Sequence, residues 1–214
     1  MTNEPSDSTL VEMWSAGDAR AGEQLFERYY DSVARFFFNK ADEASVQDLI
    51  QRTFLACVEG LARLRGAGNF RSYLFGAAYR LLCKHYERRA RERGTVDIAE
   101  ISVADFAART PSQVFIEREE QRLLLLALRA IPLEHQALLE LFYWERLPIA
   151  DIAHALQIPL STAKTRLRRS RQLLEEALAA RVDSPVLLRS TLDNLERWAA
   201  DVAGYHLPHP GAAR

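Results

Sequence analysis

Apolar positions over the first ninety residues recur with the period of an α-helix, and no stretch alternates long enough for a half-buried strand. The first helical stretch runs from Ser8 or Thr9 to Gly17. A second starts near Asp18 and continues through AGEQLFERYYDSVARFFFNK, where Leu25, Tyr29, Val33 and Phe36 share a face. In the third, SVQDLIQRTFLACVEGLARL, the face is Val46, Leu49, Ile50, Phe54, Cys57, Val58 and Leu61, and the glycines of RGAGN end it. The fourth spans about Phe70 to Arg93, with Leu74, Ala77, Ala78, Leu81 and Leu82 inward and its cations crowded towards the C-terminal half. These stretches predict a compact four-helix domain over residues 8–93.

The period then lapses. Residues 94–110, GTVDIAEISVADFAART, carry Asp97, Glu100 and Asp105 and no sustained apolar face, the pattern of a flexible linker. Thr110 and Pro111 suit the cap and first turn of a helix through SQVFIEREEQRLLLLALRA. Pro132 starts another, carrying Leu133, Ala137, Leu138, Leu141 and Phe142. Pro148 then opens a short helix with Ile149, Ile152, Ala153 and Leu156 inward. A second begins near Pro159 or Leu160, with Leu160, Ala163, Leu167, Ser170, Leu174 and Ala177 as its buried stripe. That is helix-turn-helix spacing, in a second domain over 111–181. Residues 182–214 hold one further amphipathic helix, with Val186, Leu188, Leu192, Leu195, Trp198, Ala199 and Val202 on a face that must cover the chain's own domains or a partner. The expected fold is all-α: two small helical domains joined by a flexible linker, plus the C-terminal amphipathic helix.

Composition narrows the class. With 214 residues, 48% of them hydrophobic, the chain can build real cores. No window reaches the roughly 18 uncharged apolar residues of a membrane span, and MTNEPSDSTL has neither the basic start nor the apolar core of a signal peptide, so a cytoplasmic location is expected. Cys57 and Cys83 lie in separate helices without metal or redox spacing and read as small buried hydrophobes. His206 and His209 sit among prolines without acid or thiol partners, so neither a metal site nor a cofactor is implied.

A net charge of −1 hides a strong sorting along the chain. Acids dominate the first sixty residues, whereas Arg63, Arg65, Arg71, Arg80, Lys84, Arg88, Arg89, Arg91 and Arg93 are opposed only by Glu87 and Glu92. A second basic zone lies in STAKTRLRRSRQLLEEAL, where Lys164, Arg166, Arg168, Arg169 and Arg171 precede the first acid, Glu175. A solvated helix face is the ordinary fate of such a run. Here the cations lack interleaved acids and occupy the second helix of a helix-turn-helix, which favours contact with DNA in the major groove.

The order of elements, the DLIQRTFL stretch, the NFRSYLFGAAYRLLCKHYERRARER stretch and the closing helix-turn-helix resemble an extracytoplasmic-function sigma factor of the sigma-70 family, over about residues 8 to 180. The resemblance implies a transcription initiation factor that binds RNA polymerase core, with region 2 at the minus-ten element and region 4 at the minus-thirty-five element. It implies a polymerase-docking helix at Asp48, Leu49, Gln51 and Thr53, placed against the clamp, and a flap contact by the second domain. For the minus-ten element it implies the loop Arg65 to Asn69 and the helix after it, with Arg65, Asn69, Phe70, Arg71, Tyr73, Arg80 and Lys84 as candidates. For the minus-thirty-five element the candidates are Ser161, Thr162, Lys164, Thr165, Arg168, Arg169 and Arg171, while Arg166 is expected to brace the fold. An anti-sigma factor is a further candidate partner. The acidic linker stands where the family's connector enters the polymerase channels.

Three positions depart from the family pattern. Arg80 stands where many relatives carry asparagine, Gln157 replaces the usual turn glycine, and Pro159 replaces the usual serine cap. An enzyme is disfavoured, since no phosphate-binding glycine loop, metal motif or nucleophile elbow is present. The alternative is a standalone helix-turn-helix regulator that binds duplex DNA without polymerase; it would need no DLIQ helix.

Overall fold

The structure, a computed structural model, describes residues 4–64, 69–93 and 119–181. The expected linker, the helix start at Thr110, Arg65, the two tail histidines and the C-terminal helix lie outside these residues. The described residues form nine α-helices and no strand: α1 (Asp7–Ser15), α2 (Ala19–Phe38), α3 (Glu43–Glu59), α4 (Leu61–Leu64), α5 (Phe70–Arg93), α6 (Glu119–Ala130), α7 (Leu133–Tyr143), α8 (Ile149–Ala155) and α9 (Leu160–Ala179).

Two kinds of helix start are used. In the first half side chains cap: Ser6 accepts from the Thr9 amide at 3.2 Å, Asp18 from Arg20 at 3.0 Å and Asp42 from Ser45 at 3.0 Å, each satisfying an amide that lacks an intrahelical partner. In the second half α7, α8 and α9 each follow a proline, Pro132, Pro148 and Pro159, and none has a side-chain cap. There the fixed proline φ, between −54° and −58°, sets the entry.

The first unit buries Leu10 of α1, Leu25, Val33 and Phe37 of α2, Leu49 and Ile50 of α3, and Leu74, Phe75 and Leu82 of α5. Phe36 meets Phe75 edge-on, with ring centroids 5.9 Å apart. The second unit buries Leu124 and Leu128 of α6, Leu138 and Leu141 of α7, Ile152 of α8 and Leu167, Leu174 and Leu178 of α9. Two expected core positions are corrected: Val58 is 47% exposed and Leu160 43% exposed. Val58 lies beside exposed Leu55 on the outer side of α3, and Leu160 opens α9 with no preceding turn to cover it. Of the cysteines, Cys57 is buried and Cys83 is half-buried; burial pushes the Cys57 thiol up to about 12.

The units pack directly on one another. Helix α8 lies along α5, and α7 together with the end of α6 meets the C-terminal end of α2. The buried apolar residues of the two units form one continuous cluster, with the polar pairs Lys40–Glu140 and Arg129–Asn39 beside it, and no local apolar period announces a contact between residues so far apart in sequence.

Candidate nucleic-acid and polymerase interfaces

Helix α9 is positioned by its apolar stripe. Ala163, Leu167, Ser170 and Leu174 are buried, which turns Ser161, Thr162, Lys164, Thr165, Arg168 and Arg169 outward. The turn before it passes through Gln157 at φ +56°, the left-handed conformation that a glycine adopts at less cost. The cations divide by their contacts. Arg166 pairs with Glu134 at 3.0 Å, tying α9 to α7, so it braces the fold. Arg171 donates to the Tyr143 hydroxyl at 2.8 Å and lies over the Phe142 and Tyr143 rings, so it too is held against α7. Among the described residues Arg169 pairs with the exposed Glu176, at 3.3 Å. No ion pair among the described residues engages Lys164 or Arg168, whose charges face solvent.

On α3 the sequence-predicted docking residues separate into two pairs. Asp48 and Gln51 are exposed on one side of the helix, with Asp48 and Arg52 paired at 3.3 Å. Leu49 and Thr53 are instead core residues, and the Thr53 hydroxyl donates to the Leu49 carbonyl at 2.7 Å. Leu49 and Thr53 therefore lie in the core beneath the exposed side of α3, in correction of their expected place on it. Leu55, exposed on the same helix, was not expected there.

The candidates on α5 divide similarly. Phe70 is buried with its ring 5.5 Å from that of Tyr29, so it packs the core rather than offering a stacking face. Tyr73 is half-buried and its hydroxyl donates to the Ala56 carbonyl at 3.4 Å, over a glycine, Gly60, whose Cβ would overlap it. Arg80 and Lys84 are exposed; Arg80 lines an open cleft of about 700 Å³ between α3, α5 and α8, with Glu59, His154 and Gln157. Asn69 and Arg71 are occupied by the second unit. The Asn69 amide donates to the Asp151 carboxylate, and Arg71 donates to the Glu145 carbonyl with the Glu145 carboxylate 3.7 Å away.

Beside this contact lies a buried charge network that sequence reasoning missed. Lys40, just after α2, is fully buried against the carboxylate of Glu140 on α7, and Gln136 donates to the same carboxylate at 2.8 Å. The Arg129 Nε donates to both oxygens of Asn39, at 3.0 and 3.1 Å. Burial pulls the Lys40 ammonium below its ordinary range and pushes the Glu140 carboxyl above its own, while their mutual attraction opposes both shifts. The only signal in the sequence is that each sits in an apolar run, FFFNK and LLELFY. Among the described residues no cluster of histidine, cysteine and carboxylate would hold a metal, and no helix is long and apolar enough to cross a membrane.

Comparison with known families matches residues 25–92 to the family described as Sigma-70 region 2 and residues 121–174 to Sigma-70, region 4, together more than half of the chain. The chain is 27% identical over 188 residues to the RNA polymerase sigma-H factor of Pseudomonas aeruginosa, covering 83% of this chain and 96% of that protein. It is 22% identical over 185 residues to the ECF RNA polymerase sigma-E factor of Haemophilus influenzae, covering 83% and 98%. The chain belongs to the extracytoplasmic-function sigma factors of the sigma-70 family. Among solved structures, this sigma factor superposes on CnrH, determined with the cytosolic domain of CnrY, with TM-score 0.59 at 21% identity over 83% of this chain and 99% of that one. It superposes on RpoE of Bartonella quintana, determined with the anti-sigma factor NepR, with TM-score 0.56 at 18% identity over 76% and 98%. The sigma factor's function follows from its family: it binds RNA polymerase core and directs it to promoters, and such factors initiate transcription without being its catalysts. The standalone regulator is not favoured.

Proposed function

We propose that this sigma factor divides its work by element. Region 2, over 8–93, offers Asp48 and Gln51 of α3 to the polymerase clamp and engages the minus-ten element through the loop before α5 and through Asn69, Arg71, Arg80 and Lys84. Region 4, over 111–181, engages the flap and reads the minus-thirty-five element with Lys164, Thr165, Arg168 and Arg169 of α9. The observation that carries this reading is the outward cationic face of α9 on a helix-turn-helix, where Lys164 and Arg168 make no ion pair among the described residues, a shape and charge suited to the major groove. Its site of action is the cytoplasm, where polymerase works, and the phosphoryl chemistry is the polymerase's own. The complexes of CnrH with CnrY and of RpoE with NepR support an anti-sigma partner for this chain as well.

The test is run-off transcription by purified core polymerase on a pool of promoter fragments, with and without the protein, beside an Asp48→Ala/Gln51→Ala variant. Start sites that require the intact protein and weaken with the variant are expected. Binding to duplex DNA with no start site under any condition would remove the reading.

A further inference from the structure

Three acids on one edge of region 4 each meet a donor of region 2. Glu140 takes Lys40, Glu145 takes Arg71 with Arg35 at 3.9 Å, and Asp151 takes Asn69, while its backbone carbonyl accepts from the Ser72 hydroxyl at 2.8 Å. On the region 2 side, Ser72 and Gly76 of α5, with Asn69 just before the helix, form one face against which α8 lies. A Cβ at Gly76 would come within 2.9 Å of the Ala155 carbonyl. Carboxylate and carbonyl oxygens of region 4 thus take up the donors of Asn69, Arg71 and Ser72.

We propose that this contact is an autoinhibitory latch, in which the acidic edge running from α7 to α8 occupies the α5 face needed for the minus-ten strand. The inference rests on the promoter reading above. In the closed form α9 keeps Lys164 and Arg168 in solvent and α3 keeps Asp48 and Gln51 exposed, so duplex DNA and polymerase can both engage while Asn69 and Arg71 are withheld from the minus-ten strand and Arg80 and Lys84 stay exposed. Geometry requires the latch to open. Elements named minus ten and minus thirty-five lie about 25 base pairs apart, about 85 Å at roughly 3.4 Å per pair. A compact body of this size spans roughly half that length. The chemistry permits it: the buried Lys40–Glu140 pair returns little net stability once desolvation is counted, and interfaces between domains of one chain resemble transient protein–protein interfaces.

The test uses the full chain, Glu140→Lys and Asp151→Ala as opening variants, and the swap Lys40→Glu/Glu140→Lys to restore the pair. Small-angle scattering reads compaction and circular dichroism reads helicity. Fluorescence anisotropy reads binding to a random-sequence single strand of roughly 20 nucleotides, longer than a typical single-strand site, and to a duplex of the same length. Opening is expected to expand the chain at unchanged helicity and to tighten single-strand binding about tenfold, the factor regained when a competent state held to a tenth of molecules becomes dominant. Duplex binding is expected to stay level, which separates opening from added charge, and the swap is expected to restore both compaction and weak single-strand binding. An expanded wild-type chain, an expanded variant with unchanged single-strand affinity, or a swap that stays open would overturn the latch. Run-off with core polymerase separates the two levels: wild-type initiation without a latch effect leaves the promoter reading standing, and absent initiation removes both.

Discussion

Gly76 of α5 and the carbonyl of Ala155 at the end of α8 approach so closely that a Cβ at position 76 would stand 2.9 Å from that oxygen. The obstacle is backbone, which cannot swing aside as a side chain would. Gly76→Leu is therefore expected to pry α8 from α5 and cost roughly 1–3 kcal/mol, the usual range for overpacking. Equilibrium urea unfolding measures this, with one transition expected for the wild type and two for the variant. A variant as stable as wild type, with one transition, would show that the helices adjust.

Lys40 and Glu140 are each other's charge partner in a site closed to bulk solvent. Lys40→Met leaves Glu140 buried and uncompensated, and about 3–5 kcal/mol of stability is expected to be lost. Lys40→Met/Glu140→Leu removes both charges and is expected to return to wild-type stability or exceed it. Thermal and urea denaturation of the two variants give the comparison; equal losses would mean that the pair itself carries the energy.

Acid is expected to destabilise the fold through two histidines. His85 is depressed below its ordinary range by burial first and then by Arg89 and Arg88, against Asp42 and Glu92. His135, whose Nδ1 lies 2.8 Å from the Ser170 hydroxyl, is depressed by burial, Arg166 and Arg169, against Glu134. A depressed histidine contributes stability that is complete above the unfolded value and lost as pH falls through the folded one. Stability is thus expected to be level above about pH 6.5 and to fall below it. Histidine NMR titrations locate the folded values, and values above 6.5 would reverse the sign.

Lys164 and Arg168 are expected to behave as DNA contacts and Arg166 as a brace. Alanine at a phosphate-contacting position weakens binding across sequences and lowers the salt slope by about 1, whereas loss of a guanine-reading arginine costs roughly 1–3 kcal/mol at one base position. Arg166→Ala, which breaks the 3.0 Å pair with Glu134, is expected to lower thermal stability instead. Anisotropy titrations across salt concentrations, beside thermal melts, sort the three.

Adjacent residues of α3 are expected to fail differently. Leu49→Ala opens a cavity in the first unit and is expected to cost about 2–5 kcal/mol of stability. Asp48→Ala is expected to leave unfolding unchanged and weaken binding to core polymerase, measured by co-elution. An unfolding loss at Asp48 would move it from the interface to the fold.

The helices and the helix-turn-helix were legible because each is set by neighbours in sequence, through a 3.6-residue period and a proline at an entry, whereas the caps Ser6 and Asp42 and the break at Gly60 between α3 and α4 were not read. The basic face of α9 was legible for the same reason, since one stripe of Ala163, Leu167 and Leu174 settles which way Lys164 and Arg168 point. Leu49, Thr53 and Phe70 were misplaced because a motif names residues together without saying which side of the helix each takes. The contact of α5 with α8 could not be read at all. Lys40 and Glu140 are 100 residues apart, and whether a lysine or glutamate is solvated or buried depends on a partner that only long-range packing brings to it. Local pattern decided what this chain is made of and which family it joins; tertiary packing alone decided that its two halves close on each other, because desolvation and charge pairing belong to the assembled fold.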